Sequence, residues 1–176
     1  MKISTKDMVL ASVMAAVMCV FAIISFNIGQ VPITLSLFAV FLCGLLQKPK
    51  YAVLSCVVYV LLGAIGIPVF AGMKGGLSVL MSPTGGFIIS YPFVALIISL
   101  FVQKFSGKTL AVIILLVIAI FICYTFGTVW FMIITGSGLL HALSICVLPF
   151  IPFEIIKAAA ALLISKPIKK AILKSV

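Results

Sequence analysis

Six apolar runs, separated by breaks that hold almost all of the charge, leave this chain few ways to fold. They cover about residues 8–26, 33–46, 51–67, 87–102, 109–134 and 149–165. A backbone in an apolar medium has to satisfy its polar groups internally, and α-helices do so segment by segment. The expected fold is therefore an all-α integral membrane protein, a compact six-transmembrane-helix bundle forming one domain. Composition agrees, since the 176 residues are 65% hydrophobic and only 8% charged, and a mean hydropathy of +1.50 is foreign to soluble domains. That length leaves no room for a separate soluble domain. The N-terminal Met-Lys-Ile-Ser-Thr-Lys-Asp could open a signal peptide, but the run behind it is longer than a signal core and no cleavage site follows. It is expected to be the first span.

The charge pattern orients the bundle. A net charge of +10 comes from twelve lysines set against Asp7 and Glu154 alone. With six spans, Lys2, Lys6, Lys48, Lys50, Lys104, Lys108, Lys166, Lys169, Lys170 and Lys174 all fall on one side. Lysines gather at the cytoplasmic ends of spans, so both termini are expected in the cytoplasm. The basic sum thus reports contact with membrane and topology, and gives no reason to expect nucleic acid. Lys157, inside the last run, and Lys74, in an external connection, break the pattern.

Lys157 follows Glu154 at a spacing of i, i+3, which puts both on one face of a helix. A charge at the bilayer centre costs about 2.5–3.5 kcal/mol on insertion scales, so such groups point to function by default. The plainer reading is an ion pair that only neutralises itself. Lys74 lies in the least regular stretch, Gly66 to Gly86, whose six glycines and two prolines oppose a helix although the stretch is largely apolar. This suggests a lid or re-entrant element over a cavity, or else a loop resting at the interface. Tyr124, Gly127 and Trp130 recur every third residue, either as interfacial anchors or as a wall where Gly127 leaves room for a ligand's flat face. On the first run, Ala11 and Ala15 make a small-xxx-small face, repeated by Ser12 and Ala16, suited to packing within the chain or to docking a partner.

Several chemistries drop out. Cys19, Cys43, Cys56, Cys123 and Cys146 sit in or beside apolar runs without metal-ligand spacing, and His141 is alone in a connection, so neither a disulfide framework nor a metal site is expected. Gly107-Lys108-Thr109 resembles the end of a phosphate-binding loop, but Val102 stands where the first glycine should be. No nucleophile is paired with a base, so an enzyme is not expected.

Further stretches carry a resemblance: VPITL at 31–35, LLGAIGIPVFAG at 61–72, GGL followed by SPTGGF at 75–87, Tyr124-x-x-Gly-x-x-Trp130 and Pro152-x-Glu-x-x-Lys157. Together they closely resemble the BioY family, the biotin-binding S components of energy-coupling factor (ECF) transporters. The resemblance implies a prokaryotic cell-membrane protein that captures biotin outside the cell. It implies partners too, a transmembrane coupling protein and two cytoplasmic ATPases, with Ala11 and Ala15 on the docking face. Glu154 and Lys157 would meet the ureido ring, Tyr124 and Trp130 the bicyclic body, and Lys74 or backbone near Gly75 and Gly76 the carboxylate, with Phe70 also among the ligand-binding residues. The chain departs from the family in carrying Glu154 for the usual Asp, and Ser36 where Gln often follows VPITL.

Overall fold

The computed structural model describes residues 4–28, 31–105 and 108–174. Lys2, Gly29 in the break after the first run, and Gly107 of the Gly-Lys-Thr triplet lie outside them. Helix α1 (Thr5–Ile23) is capped by Ser4, whose hydroxyl accepts from the Asp7 N–H at 3.4 Å. Strands β1 (Ser25–Ile28) and β2 (Val31–Thr34) form an antiparallel hairpin pairing Ser25 with Thr34. Then come α2 (Ser36–Leu46), α3 (Pro49–Ala64), the single turn α4 (Leu77–Leu80), α5 (Gly85–Val102), α6 (Thr109–Thr135), α7 (Leu139–Cys146) and α8 (Ile151–Lys174).

Six of these helices, α1, α2, α3, α5, α6 and α8, pack together in one bundle. At one end the Lys6 ammonium donates to the Ile172 carbonyl at 2.6 Å, and Asp7 pairs with Lys48 at 2.6 Å, holding that ammonium above its ordinary pKa. The start of α1, the α2–α3 turn and the end of α8 therefore share an end. At the other end the Gly72 N–H donates to Ser25 Oγ, tying the long α3–α5 connection to the β-hairpin. Helices α1, α5 and α6 are each long and apolar enough to cross a bilayer, and α7 with α8 qualify together as a pair bent by 48°. Helices α2 and α3 are apolar but shorter.

Three boundaries differ from the sequence expectation. The 33–46 run is not all helix: residues 31–34 form a strand and the helix starts only at Ser36, because the backbone there pairs with β1 and the Leu35 N–H donates to the Ile24 carbonyl at 3.2 Å. The 8–26 run likewise stops its helix at Ile23 and enters β1. The 135–148 connection holds α7, isolated from α6 by Gly136, whose φ of 67° ends that helix with an N–H bond to the Met132 carbonyl. In addition, the basic tail after Ser165 stays helical through Lys174 despite Pro167.

Ala11 and Ala15 are packed within the chain. They are 3% and 2% exposed, turned inward where α1 meets α3, and Ser55 Oγ lies 3.0 Å from the Ala11 carbonyl. Small side chains let these two helices approach closely, which is the packing use of the motif. The repeat one residue later, Ser12 and Ala16, is exposed.

Helix α2 is the axis of the bundle, buried at every residue from Ser36 to Leu45 and touching α1, α3, α5 and α8. Its contact with α5 needs Gly44, where an added Cβ would come within 2.6 Å of Ile98 Cβ and 3.3 Å of the Ala95 carbonyl. Overpacking of this kind costs about 1–3 kcal/mol. Gly44→Val should accordingly lower the melting temperature of the detergent-solubilised protein; an unchanged melt would mean that α2 and α5 are not in such close contact.

Candidate ligand cavity

Because α2 begins so late, its N-terminal end stops inside the bundle and leaves space above it. A cavity of 590 Å³ occupies that space, at the end opposite the chain termini. Pockets of this size suit a small molecule. Thr34, Ser36 and Leu37 form its floor, and α3 and α5 contribute Tyr59, Ile88 and Tyr91. Cys123 and Tyr124 come from α6, Phe150 and Glu154 from the start of α8, and Lys74, Ser78, Ser82 and Thr84 from the α3–α5 connection.

Glu154 is 4% exposed and Lys157 6%, and the Lys157 ammonium donates to Glu154 Oε1 at 2.6 Å. The pair is thus formed, as its spacing suggested. Only Glu154 reaches the cavity wall; Lys157 stands behind it. The second carboxylate oxygen, Oε2, is buried and has no hydrogen-bond partner among the described residues. The Tyr124 hydroxyl is in the same condition. Two orphaned buried polar atoms on residues that line one cavity are costly to leave unmade and point to a polar ligand.

Other expected site residues serve the wall from behind. Trp130 does not line the cavity; its indole Nε1 donates to the Ser82 carbonyl at 3.0 Å and fastens the connection to α6. Gly127 leaves no room for a ligand, since the Phe87 ring fills the space where its Cβ would stand, 2.2 Å away. Phe70 is fully buried outside the cavity, edge-on to Tyr59 with ring centroids 5.5 Å apart, above Gly63, where a Cβ would come within 2.0 Å of its ring. The Gly76 N–H is committed to the Gly63 carbonyl at 2.7 Å and cannot hold an anion, and Gly75 is wedged against the Gly66 and Ile67 carbonyls. Of that stretch, Lys74 is the cation that reaches the cavity.

Sequence reasoning passed over Tyr59 and Tyr91, which stack with centroids 6.2 Å apart. Their signal was a hydroxyl inside an otherwise apolar run, as at Ser90-Tyr91-Pro92. Such signals are weak until the facing helix is known.

A helical membrane bundle with a polar-lined cavity near one end defines a class, that of small-molecule binding proteins of the membrane. Comparison with known proteins narrows it. The chain matches the BioY family over residues 1–174 and belongs to that family. A probable biotin transporter BioY of Pyrococcus horikoshii is 38% identical over 161 residues, covering 92% of this chain and 94% of the relative. The biotin transporter BioY of Thermotoga maritima is 36% identical over 94% of this chain and 96% of its own. A crystal structure of the S-component for biotin from an ECF-type ABC transporter superposes with a TM-score of 0.89 at 25% identity, covering 96% of this chain and 95% of that one.

The orphaned Tyr124 hydroxyl has a measurable consequence. Leaving a buried hydroxyl unpaired costs about 1–3 kcal/mol, so Tyr124→Phe should raise the melting temperature of the ligand-free protein. A lower melting temperature would show that the hydroxyl is already satisfied.

Proposed function

We propose that this chain is the biotin-binding S component of an ECF-type transporter, taking biotin from the external side for import by a partner module. The observation that carries the proposal is Glu154 Oε2, a buried acceptor without a partner in the wall of a cavity of suitable size. Biotin's ureido ring presents N–H groups of the kind that such an oxygen accepts, and a hydrogen bond to a charged group is worth about 1.5–3 kcal/mol. In this reading Lys157 occupies Oε1, neutralises the carboxylate and leaves Oε2 for the ligand. The aromatic rings of Tyr59 and Tyr124 flank the bicyclic body, and Lys74 at the cavity mouth meets the valerate carboxylate.

The module would be a transmembrane coupling protein with two cytoplasmic ATPases. The chain itself has no complete phosphate-binding loop, so the energy for import comes from those subunits. Docking through α1 then falls to the exposed Ser12 and Ala16, in place of Ala11 and Ala15. Six crossings with both termini cytoplasmic would put Lys74 outside the cell. An impermeant amine reagent or a Lys74→Cys thiol label applied to intact cells should therefore reach position 74 and spare position 50 in Lys50→Cys.

Calorimetric titration of the purified protein with biotin tests the site. Glu154→Gln should weaken binding by roughly 10- to 100-fold. Lys157→Met should cost about 3–5 kcal/mol of stability as well, because it strands a buried carboxylate. The double variant should regain stability without regaining affinity. Biotin binding at wild-type strength in Glu154→Gln would sink the proposal.

A further inference from the structure

A carboxylate oxygen is not the only uncommitted atom of the cavity wall. The Tyr124 hydroxyl is buried without a hydrogen-bond partner among the described residues, on a side chain that is 8% exposed and lines the cavity. Thr128, one turn further along α6, has an orphaned hydroxyl too but does not line it. Several other hydroxyls of the lining are engaged. Ser82 Oγ donates to the Val79 carbonyl at 2.6 Å, and because a carbonyl can only accept, the 2.9 Å bond between Ser82 and Thr84 takes its proton from Thr84. Thr34 and Ser36 are hydrogen-bonded to each other. Tyr124 packs in an apolar cluster with Val31, Ile33 and Phe150, whose side chains offer a phenol no acceptor. Phe150 and Glu154 stand one helical turn apart, the Glu154 N–H donating to the Phe150 carbonyl at 2.9 Å, and both line the cavity. The phenol from α6 and the carboxylate from α8 thus adjoin the same ring, yet they do not bond each other, since both are unpartnered. Paired with Lys157 through Oε1, the carboxylate can only accept at Oε2, whereas the phenol can donate.

We infer that the Tyr124 hydroxyl is a specificity-determining ligand contact, donating to the ligand's carbonyl oxygen while Glu154 Oε2 accepts from the adjacent N–H. The inference rests on the biotin reading and deepens it by assigning the ureido oxygen to Tyr124. A urea offers an acceptor and donors on neighbouring atoms, so one group satisfies both orphans at once. A ring with the oxygen but no N–H, or with the N–H but no such oxygen, leaves one buried atom of the wall unpaired and loses affinity for it. The cavity therefore selects for a cyclic urea over a ring that lacks either partner.

The test uses biotin and 2-thiobiotin, which keeps both N–H groups but replaces the oxygen with sulfur, a weak acceptor of hydroxyl hydrogens. Both are titrated into the purified full chain and its Tyr124→Phe variant. Tyr124→Phe keeps the ring beside Phe150 and should weaken biotin binding by roughly 5- to 10-fold while changing thiobiotin binding by no more than about 2-fold. The two ligands share one body, so any loss of packing weakens them equally and the ratio isolates the hydroxyl. Tyr124→Met, which fills much of the ring's volume without a hydroxyl, should shift that ratio in the same direction and by a similar factor, and gives a second readout if Tyr124→Phe folds poorly. Equal losses for both ligands, or no loss for either, would overturn the assignment of Tyr124 and leave the biotin reading intact. A wild-type protein that ignores biotin altogether would overturn both.

Discussion

The late start of α2 is the constraint on which the rest of the molecule depends. A helix buried on all sides cannot use amphipathic patterning to choose its neighbours; it can only be filled around, and here α1, α3, α5 and α8 do the filling. Its eleven residues rise about 16 Å, well short of a hydrocarbon core of about 30 Å. The chain makes up part of the difference with β2, whose four residues extend about 13 Å. A strand is thinner than a helix, and the volume it does not occupy becomes the cavity. The site is thus a consequence of where one helix begins.

Within that volume, cost and use are coupled. Two charges in an apolar interior are tolerable only as a hydrogen-bonded pair, and a pair that satisfied every atom would leave nothing for a ligand. Glu154 and Lys157 stand between these limits, with one carboxylate oxygen held and the other open. Stability is given up in the empty protein at atoms that a ligand can satisfy.

The connection between α3 and α5 is irregular in backbone but well anchored. Phe70 above Gly63 secures its beginning, the Gly76 bond to the Gly63 carbonyl its middle, and Trp130 on the Ser82 carbonyl its end. Residues that read as ligand contacts in the sequence, Phe70, Gly76 and Trp130, are instead the fasteners of this element. Their residue types suit both tasks. A large aromatic ring and a flexible glycine are equally useful against a ligand and against another part of the chain, and only position decides between them.

Much of the fold was legible because membrane partitioning depends on local composition. The apolar runs and the anomaly of Glu154 and Lys157 follow from residue type and order alone, as does the i, i+3 contact of that pair. The β-hairpin was not legible, since each strand is only four residues long and runs on directly from or into an apolar helix. Nor was the inward turn of Ala11 and Ala15, because Ser12 and Ala16 carry the same pattern one residue on and the sequence of a uniformly apolar helix does not say which face is covered. Tertiary structure alone decided the rotation of each helix about its axis, and with it that Glu154, Tyr124 and Tyr91 share a cavity while Lys157, Trp130 and Phe70 stand behind its wall. That rotation is set by close packing between neighbours, at points such as Gly44 against Ile98 and Gly127 against Phe87, and such contacts exist only once the chain has folded.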